Sequence, residues 1–137
     1  MTQHDGDALP LLDNSVLERL HMELDHDEGV WKVFIRDFVA HLPFRLERVR
    51  LALTTGDTVA AKDAVLSLKT SSQMVGAERL AGLALDLEGA LRFDSKEGDP
   101  SVVLPRIATA HLTAIRQCAE QTSYLLNRHL LQFPGRV

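Results

Sequence analysis

Ala64-Val65-Leu66-Ser67-Leu68-Lys69-Thr70-Ser71-Ser72-Gln73-Met74-Val75-Gly76-Ala77-Glu78-Arg79-Leu80 contains the end of one helix, a stop and the start of the next. Ala61, Val65, Leu68, Ser72 and Val75 recur at three- and four-residue intervals, which places them on one face of a helix. The spacing predicts a third helix from Thr58 to Val75, stopped at Gly76 because glycine readily takes the left-handed conformation that ends helices. Ser72 on that face is small enough to let a neighbouring helix come close. Beyond the stop, Leu80, Leu83, Ala84, Leu87 and Leu91 form the most regular apolar stripe of the chain, predicting a fourth helix over 77–93. Two consecutive amphipathic helices joined by a tight turn must bury their stripes against each other, so the segment points to helix-on-helix packing.

Outward from this core the same pattern continues. Thr55-Gly56-Asp57 pairs a helix-ending glycine with an N-cap aspartate, a tight turn between antiparallel helices. Before it, Trp31, Phe34, Phe38, Leu42, Val49 and Leu53 predict a second helix over 28–54. Pro43 lies inside it, removing one backbone hydrogen bond and predicting a kink near Val39 to Leu42. Asp25-His26-Asp27 makes a polar break, and a short first helix is expected from Ser15, where Ser15-Val16-Leu17-Glu18 has the spacing of a capping box, to about Leu24. Ser95 to Pro100 reads as a loop closing with Asp99 as N-cap and Pro100 at the first helical position. It launches a last helix to about Leu131, with Leu104, Ala108, His111, Ile115, Cys118, Thr122 and Leu125 inward. The expected fold is all-α: an up-down-up-down four-helix bundle with a short N-terminal cap helix over residues 13–132, between a mobile tail (1–12) and a C-terminal tail (133–137).

Composition agrees with this. The 137 residues are 45% hydrophobic but only 5% aromatic, which favours leucine- and alanine-rich helix packing within one domain. The lone cysteine, Cys118, has no partner for a disulfide or a metal site, and neither cofactor nor metal is expected. No stretch reaches the roughly 20 apolar residues of a membrane span and the N-terminus lacks the features of a signal peptide, so the expected location is cytoplasmic and away from the membrane. A net charge of −4 argues against nucleic acid as the partner, since phosphate backbones are bound by clustered cations.

The opening segment resembles the histidine-containing phosphotransfer (Hpt) domain family. That family carries an Ala-His-x-Leu-Lys-Gly-Ser-Ser pattern on one helix, a Gly-Ala pair ending it and a Leu-Glu in the next. Leu68, Lys69, Ser71, Ser72, Gly76-Ala77 and Leu87-Glu88 fall at the matching places. Upstream, Phe34-Ile35-Arg36-Asp37-Phe38, Pro43, Leu51, Ala52 and Gly56-Asp57 look like the family's second helix and turn. The match covers roughly 13–94 well and the last helix by length and period. Two positions depart: the place of the phosphoacceptor histidine is held by Leu66, and the glycine four residues later is Thr70, a branched side chain where a receiver would approach. The resemblance implies a two-component phosphorelay protein whose partners are a response-regulator receiver domain or a histidine kinase.

The substitution at Leu66 bears directly on the chemistry. Phosphoryl transfer from a receiver aspartate needs a nucleophilic nitrogen in line with phosphorus, and leucine has no lone pair. Thr70, Ser71 and Ser72 lack a general base one helical turn away, and Asp63, Asp86 and Glu88 read as ordinary helix-face charges. His4, His21, His26, His41, His111 and His129 each read as solvated or edge-of-core residues, His111 as the one nearest burial. Lys62, Leu66, Lys69, Thr70 and Gln73 are adjacent on the outer face of the third helix, with Lys69 expected as a solvated lysine. A leucine there is an ordinary isolated surface leucine, is covered by the chain before residue 28, or widens an apolar patch for a partner. The favoured reading is a non-enzymatic binding module, a pseudo-phosphotransferase, that docks a receiver, a kinase or a second copy of itself through this face. The alternatives are transfer through a non-standard histidine such as His41, and a purely structural or oligomerising bundle.

Overall fold

The computed structural model describes residues 9–24 and 28–132, and these form five α-helices with no strand among them. They are α1 (Asn14–Glu23), α2 (Glu28–Thr54), α3 (Thr58–Met74), α4 (Glu78–Phe93) and α5 (Pro100–Gln132). A single 3-10 turn, Asp94–Glu97, occupies the first half of the stretch expected as loop before α5. Helices α2, α3, α4 and α5 pack in chain order around one core, each against its neighbours and α5 back against α2, the up-down-up-down bundle expected.

The two glycine turns close in the same way. Gly56 (φ +74°) and Gly76 (φ +75°) take the left-handed conformation that glycine adopts at little cost. After α2, Asp57 N–H donates to Ala52 O at 2.9 Å and Gly56 N–H to Leu53 O at 3.3 Å; after α3, Ala77 N–H donates to Ser72 O at 2.9 Å and Gly76 N–H to Gln73 O at 3.2 Å. Both patterns satisfy the last free carbonyls of the helix before reversing the chain. Asp57 then caps α3 by accepting from Ala60 N–H at 3.0 Å, and Asp99 caps α5 through Ser101 N–H at 3.0 Å.

All five residues expected on the inner face of α3 and all five on that of α4 are buried. In α2 the helix runs unbroken through Pro43, and Ile35 is fully buried while Phe34 is only partly so. In α5 the stripe is shifted near its end, with Leu126 fully buried and Leu125 half-buried. His111 is at the edge of that stripe. It lines a shallow groove with Asp94, Glu97 and Arg106 and is half-buried, so it is not the core histidine the periodicity suggested.

The start of the chain differs from expectation in two respects. The α1 cap is Asp13, whose Oδ1 accepts from Ser15 N–H at 3.0 Å and from Ser15 Oγ at 2.6 Å. Ser15 lies already inside the first turn, so the Ser15–Glu18 capping box does not form. Leu9 to Leu12, read as the end of a mobile tail, are tied to the α3–α4 turn. Asp13 N–H donates to Gly76 O at 2.8 Å, Arg79 Nε donates to Leu9 O at 2.7 Å, and Leu11 and Leu12 pack on the core. Residues 1–8 and 133–137, with His4 and His26, lie outside the described residues.

Helix lengths explain where α1 sits. Helices α2 and α5 have 27 and 33 residues, α3 and α4 only 17 and 16. The longer pair therefore extends past the shorter by about ten residues or more, roughly 15 Å at the α-helical rise. Helix α1 fills that shelf, with Leu17 buried, Val16 against Gly76, and His129 of α5 lining the same groove as Asn14, Glu18 and His21.

Candidate functional site on the outer face of α3

Leu66 is 46% exposed on α3, and no described residue covers it. Lys62, Thr70 and Gln73 are exposed beside it. Lys69 is not the free lysine expected: its Nζ lies 2.8 Å from Glu88 Oε1 on α4, with the two side chains only 19% and 22% exposed. Helix α3 turns Lys69 toward the α3–α4 seam, where Glu88 lies on the facing helix. The ammonium is thus neutralised inside the molecule.

The hydroxyls are also internally satisfied. Thr70 Oγ donates to Leu66 O at 2.9 Å and Ser71 Oγ to Ser67 O at 2.6 Å, the back-bonding that serine and threonine adopt within helices. Neither has a base to activate it. Asp63 pairs with Arg48 at 3.1 Å on the exposed surface and Glu88 is bound to Lys69, so these two carboxylates are engaged in separate ion pairs. No group of three His, Cys, Asp or Glu suited to a metal ion is found among the described residues. The face therefore combines a half-exposed leucine, a threonine methyl group, and Lys62 and Gln73 as polar ends. Such a face can bind a partner, but Leu66 cannot accept phosphate.

The described histidines lie elsewhere. His41 on α2 is exposed, its Nδ1 2.7 Å from Asp37 O, in a groove shared with Phe34, Arg45, Ser71 and Met74. His21 and His129 flank Trp31 at ring-centroid distances of 5.2 and 5.3 Å. Burial and the neighbouring His21 hold the His129 imidazole below its ordinary pKa. Cys118 is buried, its Sγ 3.8 Å from Thr122 Oγ, and serves as a core residue. No described helix is long and apolar enough to cross a membrane. Sequence reasoning missed the Lys69–Glu88 bridge and the Trp31 cluster. Leu87-Glu88 had been noted, but no local spacing reveals which helix its glutamate faces.

Comparison with known proteins agrees with this geometry. The Hpt domain family model matches residues 33–124, more than half of the chain. Histidine-containing phosphotransfer protein B (HptB) from Pseudomonas aeruginosa PAO1 superposes with a TM-score of 0.73 at 24% identity, over 91% of this chain and 98% of that one. The HPT domain of the Hpt sensor hybrid histidine kinase from Shewanella superposes with a TM-score of 0.63 at 13% identity, over 87% and 95%. Both share the fold. No curated protein matches. The chain belongs to the Hpt domain family, the phosphotransfer carriers of phosphorelay signalling, with leucine on the exposed face of α3.

Proposed function

We propose that this Hpt domain is a binding module of a phosphorelay, docking a receiver or kinase domain through the outer face of α3 without taking up phosphate there. One observation carries the reading: Leu66, which the sequence pattern sets at the place of the family's acceptor, is half-exposed and offers no nucleophile. Lys62, Leu66, Thr70 and Gln73 supply the contact surface, and Lys69, bound to Glu88, braces it. An apolar centre rimmed by polar ends is the composition of protein interfaces, in which a few buried anchors supply most of the affinity.

The test is to mix the purified protein with phosphorylated receiver domains from its own source and follow transferred phosphate and complex formation together. Complex without transfer, weakened about tenfold or more by Leu66→Asp, supports the reading. Phosphate arriving on the protein overturns it.

His41 carries the second reading. Its Nδ1 faces a carbonyl oxygen at 2.7 Å, which makes Nδ1 the proton-bearing nitrogen and leaves the Nε2 lone pair for an incoming phosphoryl group. Acid-labile phosphate that disappears in His41→Ala would establish this route.

A further inference from the structure

The outer surfaces of α2 and α3 repeat one spacing. On α2, Phe44, Arg48 and Leu51 stand at i, i+4 and i+7; on α3, Val59, Asp63 and Leu66 stand at the same intervals. Each set shares one face of its helix, and all six residues are exposed, the four apolar ones by 46% to 80%. Arg48 Nη2 meets Asp63 Oδ2 at 3.1 Å across the seam, which sets the level of one helix against the other. Because α2 and α3 reverse direction at the Gly56 turn, Leu51 and Val59 lie one turn from this pair on the turn side. Phe44 and Leu66 lie one turn from it on the other side. The result is an exposed apolar patch with one cation and one anion at its centre, a composition that marks protein interfaces. We infer that this patch receives a second copy of the chain, related to the first by a two-fold axis running along the α2–α3 seam.

Charge selects both the occupant and the axis. Rotation about the seam lays α2 of one copy over α3 of the other. Arg48 of each copy then faces Asp63 of the other, Leu51 faces Val59, and Phe44 faces Leu66. A two-fold contact makes each of these pairings twice. An axis set across the seam instead brings Arg48 onto Arg48 and Asp63 onto Asp63, which repel. The flanks agree with the first arrangement. Glu47, on the side of α2 that borders the groove holding Arg116, comes opposite Lys62, on the α4 side of α3. Leu66 belongs both to this patch and to the docking face proposed above, so pairing withholds that face from a receiver. The competition rests on the proposed docking; the pairing itself does not.

Exchanging the central charges tests the pairing. Arg48→Asp makes both central positions acidic, and Asp63→Arg makes both basic. The bond they break is an exposed ion pair, which contributes little to folding, so both variants keep the bundle. Sedimentation of the full chain at roughly 0.1 mM, enough to reveal a pair of micromolar Kd, should show the unmodified protein self-associating. Each variant alone should pair about tenfold or more weakly, and an equimolar mixture of the two should recover the dimer, because acidic then faces basic at both places. Val59→Asp, in the first turn of α3 where a carboxylate suits the helix N-terminus, should also weaken pairing about tenfold or more. A monomeric unmodified protein, single variants that pair undiminished, or a mixture that stays monomeric overturns the inference. Adding a phosphorylated receiver should convert the dimer into a one-to-one complex. A dimer that behaves as described yet persists with receiver bound overturns the competition and the docking through Leu66, whereas a monomer that binds receiver overturns the pairing alone.

Discussion

Lys69 Nζ and Glu88 Oε1 meet at 2.8 Å across the α3–α4 seam, one helical turn beyond Leu66. The pair is mostly shielded from solvent, so it is worth more than a surface ion pair, and losing one partner leaves a partly buried charge uncompensated. Glu88→Gln should lower unfolding free energy by about 1–2 kcal/mol, read by urea denaturation.

Position 66 lies one helical turn before Lys69 on α3, and the family pattern sets its nitrogen nucleophile there. Leu66→His should therefore turn a non-acceptor into an acceptor: with a phosphorylated receiver that binds the unmodified protein, it should gain acid-labile phosphate. Leu66→Asn supplies no imidazole and should gain none. Phosphate on both variants, or on neither, would show that residue 66 does not control transfer.

Gly76 and Gly89 should respond oppositely to alanine. Gly76 has φ +75°, and a Cβ there would stand 2.9 Å from Asp13 O and 3.1 Å from Val16 Cβ. Backbone strain and the clash together should cost about 2–4 kcal/mol and detach α1. Gly89 is helical with nothing within 4 Å of an added Cβ, so Gly89→Ala should stabilise by about 0.5–1 kcal/mol. Chemical denaturation of the two variants checks both signs.

What was legible in the sequence was local. The stripes of α3 and α4, Gly56 and Gly76 as stops, and Asp57 and Asp99 as caps each depend on residues within one or two turns, and each occurs as read. At α1, two capping residues compete two positions apart, and Asp13 wins by preceding the first turn. The docking of Leu9 and Asp13 on Arg79 and Gly76 spans more than sixty residues, and helical period carries no information about it. The outer positions of α3 were legible as a face, but the rotation that sends Lys69 into the seam depends on how α4 packs. For the same reason His111, in register with the stripe, ends at its edge.

Ser72 is fully buried between α3 and its neighbours, and its Oγ has no hydrogen-bond partner among the described residues. A small residue is needed there, but a hydroxyl is not. Ser72→Ala should be neutral or stabilise by up to about 1 kcal/mol by removing an uncompensated polar atom. Ser72→Leu should destabilise by about 1–3 kcal/mol through overpacking. Thermal and urea unfolding distinguish the two.

Acid should weaken the bundle through its helix caps. The Asp99 carboxyl is held below its ordinary pKa by the Ser101 backbone N–H and then its hydroxyl, and the Asp13 carboxyl by the Ser15 hydroxyl and then its backbone N–H. A carboxylate with a lowered folded pKa contributes fully above its unfolded value, and the contribution is lost as pH falls through the folded one. Thermal stability should therefore decline below about pH 4, where protonation removes the charge that accepts these bonds. Asp99→Ala should lower Tm at neutral pH and flatten this acid limb. Asp99→Asn, which still caps but does not titrate, should flatten the limb while keeping most of the neutral-pH Tm. An acid limb unchanged in Asp99→Asn would assign the loss to carboxylates other than this cap.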